Sequence, residues 1–256
     1  MSKGTVLITG ASSGIGAALA KQFAQHDYDL VITARREKNL QELKDSIHRD
    51  INIEIIKCDL TDPNGPDDLI KTIEANGIDI DILINNAGIS VPGKFDELDQ
   101  QDIDNLLSLN VRALTFLTRH YVATMILRVS GRILNVASVA AFQPVPSMDV
   151  YAASKAYVLS LTESLSEELR GTGVSVSALC PGLTQTEMVD SLGAQNSPPF
   201  LLSSADDVAK EGFDALMARE VIRIPGIANQ AAVTWAQHQP RWLIRGLGGL
   251  FSRLKP

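Results

Sequence analysis

Tyr151 and Lys155 are four residues apart, so on a helix they share a face and the ammonium can lie beside the phenol. A free tyrosine titrates at roughly pH 10 and is a poor proton donor or acceptor in neutral solution. A cation held close stabilises the phenolate and lowers that value toward the working range, which makes the pair a candidate general acid/base. An exposed helical pair is the bland alternative, because Tyr-x-x-x-Lys arises often by chance. Ser138 follows the apolar run Arg132–Ala137, so it is expected at the carboxyl end of a strand, where its hydroxyl can donate to a carbonyl oxygen. A loop serine capping a turn is the plainer reading of that residue alone. Asn110 falls inside a long helical segment among Leu106, Leu107, Leu109 and Val111, an odd neighbourhood for a mediocre helix former.

A second chemical possibility lies near the start, in "TVLITGASSGIG", residues 5 to 16. Its G-A-S-S-G satisfies the G-x-S-x-G pattern of a hydrolase nucleophile elbow, with Ser12 as the attacking group. Such an elbow needs an earlier strand and loop to complete the oxyanion hole, and too few residues precede Ser12 to supply them. The alternative is a phosphate cradle: a strand, a glycine turn, then a helix whose free N–H groups and dipole face an anion. Thr5–Thr9, Gly10 to Gly14 and a helix marked by Ile15, Leu19 and Phe23 supply that order. The glycine spacing is Gly10-x-x-x-Gly14-x-Gly16, which differs from the common G-x-G-x-x-G fingerprint.

The elements that must position these groups follow from hydrophobic patterning. Strands are expected at Thr5–Thr9, Leu30–Ala34, Ile53–Lys57, Ile80–Asn85, Arg132–Ala137, Val174–Leu179 and Val221–Pro225. Most are continuous apolar runs, as parallel strands buried on both faces require. Between them lie helical stripes, including Leu40, Leu43 and Ile47, and two long helices over Gln101–Leu127 and Tyr151–Arg170. This alternation predicts an α/β fold: a single-domain, doubly wound, parallel, Rossmann-like sheet with helices on both faces and ligands at the carboxyl ends of its strands. The expected organisation is one domain over residues 1–225 and a C-terminal apolar and basic extension over 226–256.

Composition narrows the function. The 256 residues carry a net charge of −7, so nothing offers the basic footprint of a nucleic-acid binder. Cys58 and Cys180 are far apart, and the four histidines have no metal-ligand spacing, so disulfide scaffolding and a metal site are not expected. A strand-like run begins almost at once and no apolar stretch is long enough to cross a bilayer, so the expectation is a cytoplasmic setting.

The glycine pattern is the form T-G-x-x-x-G-x-G of the short-chain dehydrogenase/reductase family, and the other motifs of that family follow in order. They are "NNAG" at 85–88, Asn110, Ser138, "YAASK" at 151–155 and "PG" at 181–182. From residue 4 to about residue 225 the chain therefore resembles that family. The resemblance implies an oxidoreductase transferring hydride between a nicotinamide dinucleotide and a carbonyl or secondary alcohol. In such a member Ser138 and Tyr151 bond the substrate oxygen, and Tyr151 passes its proton to the forming alkoxide. Lys155 lowers the phenol's pKa and binds the nicotinamide ribose, while Asn110 opens its helix locally and holds a water.

The same resemblance makes Gly10, Ser12, Ser13, Gly14, Ile15 and Gly16 cofactor contacts. It puts Asp59 and Leu60 at the adenine, Asn86, Ala87 and Gly88 along the adenosine side, and Pro181, Gly182 and Thr184 over the nicotinamide carboxamide. NAD-preferring relatives carry a carboxylate at the end of the second strand. Here Leu30–Ala34 is followed by Arg35 and Arg36, whose guanidiniums suit a phosphate, so NADP(H) is expected. Two solvated loop arginines, one neutralised by Glu37, are the alternative.

Substrate choice in this reading belongs to the stretch after Gly182. Met188, Val189, Leu192, Phe200, Leu201 and Leu202 suggest a lid with an apolar inner face, hence a moderately hydrophobic substrate. Val139, Phe142, Gln143, Pro144 and Val145 are expected to form the opposite wall. The terminal "RWLIRGLGGLFSRLKP" mixes Trp and Leu with Arg241, Arg245, Arg253 and Lys255 and has no acid. It suits a peripheral membrane contact, a partner subunit or a cover over the cleft. Family members pair their two long helices across subunits, which implies a homodimer or homotetramer. A non-catalytic NADP-binding sensor or assembly protein, and a sugar-nucleotide epimerase, are the competing functions. The first would accompany damage to the Asn/Ser/Tyr/Lys set, which is intact, and the second favours a different glycine spacing and a longer substrate region.

Overall fold

Among the described residues, seven strands pair into one sheet in which every strand is parallel to its neighbours: β1 (Thr5–Thr9), β2 (Asp29–Ala34), β3 (Ile53–Lys57), β4 (Ile82–Asn85), β5 (Gly131–Val136), β6 (Val174–Leu179) and β7 (Ile222–Arg223). The computed structural model describes residues 2–187 and 202–253. Strand order is β3-β2-β1-β4-β5-β6-β7, so the chain reverses direction across the sheet between β1 and β4. At such a switch point the loops leaving the two strands diverge and open a crevice over their carboxyl ends. The loops concerned carry Gly10 after β1 and Asn86 after β4.

Helices α1 (Gly14–Gln25), α2 (Glu37–Ser46), α3 (Gly65–Ala75), α4 (Gln100–Leu107), α5 (Leu114–Leu127), α6 (Asp149–Glu168) and α7 (Ala205–Ala218) cover the two faces. Successive residues of β1 enter opposite cores, as the two-residue strand period demands. Val6 and Ile8 pack with Leu19 and Phe23 of α1, whereas Leu7 packs with Leu69 and Ile73 of α3 and Leu117 of α5. All three strand residues are fully buried, worth about 1.5–3 kcal/mol each by side-chain burial.

The observed elements follow the expected alternation, with differences at their ends. β4 begins at Ile82, because Asp81 is spent on a turn: its carboxylate accepts the Thr5 N–H at 2.9 Å. β7 is two residues long, shorter than the Val221–Pro225 run. The long helix expected over Gln101–Leu127 is interrupted by a π-helical segment, Ser108–Ala113, between α4 and α5.

After β7 the chain forms α8 (Ile227–Gln237) and α9 (Arg241–Arg253). α8 packs on the short 3-10 helix Val139–Phe142, and the Asn229 side chain lies so close to Gly182 that a β-carbon there would fall 2.6 Å from it. On α9, Arg241, Trp242 and Arg245 are exposed and Ile244 is buried. No helix among the described residues is long and apolar enough to cross a membrane.

Candidate active site

A cleft of about 480 Å³ runs over the carboxyl ends of β1, β2, β4 and β5, from Arg35 and Asp59 at one end to Ser138, Tyr151 and Lys155 at the other. Gly10, Ser12, Ser13, Gly14 and Ile15 form its floor in the middle, and Pro181, Gly182 and Thr184 close one side. The structure therefore brings nearly all the expected residues to one wall. Two are set behind it. Gly16 is buried, and a β-carbon there would lie 2.4 Å from both the Gly10 carbonyl oxygen and Asn86 Nδ2, so it lets helix and strand approach rather than touching a ligand. Asn110, only 1% exposed, sits behind Gly88.

The floor of the cleft is held open by a small network. Thr9 Oγ1 accepts the N–H groups of Asn86 and Ala87, each at 3.0 Å, and donates to the Ile84 carbonyl. Asn86 Nδ2 donates to the carbonyls of Thr9 and Gly10 at 2.9 and 3.1 Å. The side chain of Asn86 is thus spent on bracing the glycine loop. Gly10 and Gly14 both have positive φ, which lets the chain turn sharply into α1. The Ser13 side chain makes no capping hydrogen bond to the first turn of α1, and no acidic residue stands in that turn. Free N–H groups and the positive end of the helix dipole therefore point into the cleft.

Several polar atoms here suit a ligand carrying phosphates and hydroxyls. Thr33 Oγ1 and Ser90 Oγ are buried on the cleft wall with no partner, a costly arrangement unless something bonds them. Arg36 lies on the same wall, its Nη2 donating to Ser12 Oγ at 3.2 Å and Ser13 Oγ at 2.8 Å. Glu37, the neutralising partner in the alternative reading of these arginines, lies 3.9 Å from Lys57. The anion on Arg36 is Glu187, 2.9 Å from its Nη1. Asp59 Oδ1 accepts from both the backbone and the hydroxyl of Thr61, and Arg35 helps hold its carboxyl below the ordinary range.

At the far end, Tyr151 and Lys155 rise from the first turns of α6, whose helix begins at Asp149. Lys155 Nζ donates to the Val136 carbonyl at 2.8 Å and lies 5.7 Å from the centre of the Tyr151 ring. Burial lowers its pKa to about 8. The phenol departs from expectation. Burial, the largest influence, holds Tyr151 above its ordinary value, and a hydrogen bond with Ser138 opposes that shift. Desolvation of a nearly buried phenolate outweighs that hydrogen bond, so the net direction is upward. Ser138 also accepts the Ala140 N–H at 3.1 Å, so the capping role and the site-facing role coexist.

Asn110 ties the two ends of this cluster together. Its Oδ1 accepts from Ile89 N–H and its Nδ2 donates to the Ile89 carbonyl, each at 2.9 Å, and Nδ2 also reaches Ser154 Oγ at 3.1 Å. Those bonds hold the loop after β4 against α6, and they fall within the π-helical segment. A β-carbon on Gly88 would lie 3.2 Å from Asn110 Oδ1 and 3.4 Å from Lys155 Nζ, so only glycine leaves this corner open. Behind it, Asn85 Nδ2 donates to Thr118 Oγ1 and Asn135 Oδ1, and Asn135 Nδ2 to Thr162 Oγ1, a buried polar ladder across β4 and β5.

Sequence reasoning missed Thr33, Ser90, Thr186 and Glu187 on the wall. None of the expected substrate-wall residues Val139, Phe142, Gln143, Pro144 and Val145 lines the cleft; Val145 packs in the cluster of Tyr151, and Phe142 in that of Leu114 and Ala137. The expected lid residues Met188, Val189, Leu192, Phe200 and Leu201 lie outside the described residues.

The family model for short chain dehydrogenases matches residues 4–197. A short-chain dehydrogenase from Sphingobium yanoikuyae, solved in complex with NADPH, is similar at 33% identity and a TM-score of 0.81, covering 98% of this chain and 96% of that one. A bulky-bulky ketone specific alcohol dehydrogenase from Comamonas testosteroni is similar at 30% identity and a TM-score of 0.80, over 100% of this chain and 96% of that one. A very-long-chain 3-oxoacyl-CoA reductase-like protein of Arabidopsis thaliana is 32% identical over 249 residues, 94% of this chain and 76% of its own. With the cleft at the sheet's switch point and the family match spanning most of the chain, the protein belongs to the short-chain dehydrogenase family of oxidoreductases.

Proposed function

We propose that the protein is an NADP(H)-dependent carbonyl reductase or alcohol dehydrogenase acting on a moderately hydrophobic substrate, with Tyr151 as general acid and base. The observation that carries this reading is the meeting of Ser138, Tyr151 and Lys155 at one end of a cleft whose other end bears Arg35 and Arg36. The ketone-specific alcohol dehydrogenase and the 3-oxoacyl-CoA reductase-like protein named above support the carbonyl class, and the NADPH-bound neighbour supports the cofactor.

In this reading the glycine loop and the N-terminus of α1 hold the diphosphate, and Arg35 and Arg36 hold the phosphate on the adenosine ribose. Asp59 and Leu60 would flank the adenine, Asn86, Ala87 and Gly88 would line the adenosine side, and Lys155 would reach the other ribose. Pro181, Gly182 and Thr184, which line the same cleft, would border the nicotinamide. A nicotinamide dinucleotide bound there supplies, or takes up, the hydride at the substrate carbon. Ser138 and Tyr151 donate hydrogen bonds to the substrate oxygen and so stabilise the charge that gathers on it. Tyr151 Oη then gives up its proton to that oxygen, completing the alcohol. Held above its ordinary value, the phenol keeps its proton in neutral solution until charge gathers on the substrate oxygen. Lys155 compensates the phenolate left behind, and Asn110 keeps the Gly88 corner and α6 in register. The outer faces of α5 and α6, where Phe116 and Tyr157 are exposed, are proposed to pair with a second copy.

The test is turnover: reduced-cofactor oxidation is followed with panels of ketones, aldehydes and acyl thioesters, with NADPH and with NADH. Carbonyl-dependent oxidation of NADPH faster than of NADH supports the reading. No turnover with any carbonyl, or a preference for NADH, would remove it.

A further inference from the structure

Glu187 stands where a phosphate would. Its two carboxylate oxygens lie 2.9 and 3.1 Å from Arg36 Nη1, and Ser13 Oγ donates to one of them at 3.2 Å. Arg36 Nη2 meanwhile donates to Ser12 and Ser13. One guanidinium and two hydroxyls form a shell for a small oxyanion. In the protein as described, that shell is filled by the chain's own carboxylate, brought across from the segment after β6. Its neighbour Thr186 presses on the same loop, since a β-carbon on Gly14 would lie 2.9 Å from Thr186 Cγ2.

We infer that Glu187 is a specificity-determining residue: its carboxylate competes with the cofactor's ribose phosphate for Arg36, Ser12 and Ser13, and is displaced when that phosphate binds. The inference rests on the reading that this end of the cleft takes a phosphorylated adenosine. The two anions cannot share the guanidinium without repulsion. A cofactor with a ribose hydroxyl there meets no such repulsion and can donate to the carboxylate. Glu187 therefore weakens binding of the phosphorylated cofactor selectively and narrows the protein's discrimination between the two. Both members of the ion pair are about half exposed, so the opposition is screened, and its size is that of an exposed charge pair. Such a pair corresponds to roughly a fivefold change in affinity.

The experiment measures the dissociation constants of NADPH and NADH for the full-length protein, by fluorescence of the bound reduced nicotinamide, in wild type, Glu187→Gln and Arg36→Gln. Glu187→Gln is expected to tighten NADPH about fivefold while changing NADH less than twofold, and the NADPH gain shrinks with added salt. An unchanged ratio of the two constants overturns the inference, as do equal gains for both, which would put the carboxylate against the shared diphosphate. A weaker NADPH complex would make Glu187 a ligand and also overturns it. The underlying reading is judged separately by Arg36→Gln. If that variant leaves NADPH affinity intact, the phosphate does not use Arg36 and the cofactor assignment fails. If it weakens NADPH while the Glu187 variant leaves the ratio unchanged, only the inference about Glu187 falls.

Discussion

Lys155 Nζ lies one helical turn from Tyr151, 5.7 Å from the centre of its ring, and donates to the carbonyl of Val136 rather than to the phenol. The lysine, its Nζ against the end of β5, is 4% exposed and the tyrosine 8%. Desolvation therefore acts on both, pushing the ammonium down to about 8 and the phenol up. The two groups are set for a protonated acid beside a cation that is easily lost, and the following outcomes depend on that arrangement.

The free protein's pH dependence follows with its sign. Below about pH 8 Lys155 is charged and Tyr151 keeps its proton, so kcat/KM for carbonyl reduction is level. Above about pH 8 the ammonium is lost and reduction declines. Alcohol oxidation needs the phenolate, and because the phenol is held above its ordinary value that reaction gains with pH only beyond the span in which the ammonium is lost. Stopped-flow measurements in both directions check this, and reduction that increases through pH 8 would contradict it.

Burying that ammonium also affects stability. The folded pKa of Lys155, about 8, lies below its ordinary 10.5, so between those values the unfolded chain binds more protons and stability rises with pH. Lys155→Met removes that titration together with the hydrogen bond to the Val136 carbonyl, so the variant's stability is expected to stay level between about pH 8 and 10.5, where wild type gains about 3 kcal/mol. Urea unfolding across the range reads it. The same variant should lose turnover.

Asn110→Ala leaves the Ile89 N–H and carbonyl without their side-chain partners in a buried corner. A loss of about 1–3 kcal/mol of stability is expected, as for other buried unsatisfied polar groups. Because those bonds hold the loop after β4 against α6, kcat should fall by a larger factor than the stability change explains at a temperature where the variant is fully folded.

Gly16→Ala puts a β-carbon 2.4 Å from the Gly10 carbonyl oxygen, a backbone atom that cannot swing aside. The glycine loop must shift, so thermal stability falls and dinucleotide affinity falls with it. A similar change at Gly246, where a β-carbon meets nothing within 4 Å, leaves dinucleotide affinity unaltered.

Much of the fold is legible in the sequence because strands buried on both faces read as unbroken apolar runs, and Val6, Leu7 and Ile8 leave little choice of state. The cleft follows from the same alternation, since a doubly wound sheet opens over its strand ends. Asn110 gave a local sign of its role by standing among leucines, but the π-helical turn around it has no periodic signature. Glu187 gave none. It meets Arg36 across 151 residues of sequence, a contact that only the folded chain creates. Tyr151 was misread in one respect for the same reason: spacing shows that a cation is near, while the extent of burial, which decides the sign of the shift, belongs to packing. Thr33 and Ser90 escaped notice because an unpaired hydroxyl is visible only once its surroundings are filled.

The proton donor is tested most directly by Tyr151→Phe, which removes one oxygen and keeps the ring in its apolar setting. With a carbonyl substrate found in the NADPH panel, the hydride-transfer rate is measured in a single turnover alongside the affinity for NADPH. The rate is expected to fall by roughly 10³–10⁴ with affinity within about threefold of wild type. Turnover retained at a tenth of the wild-type rate or better would contradict the assignment of Tyr151 as the general acid.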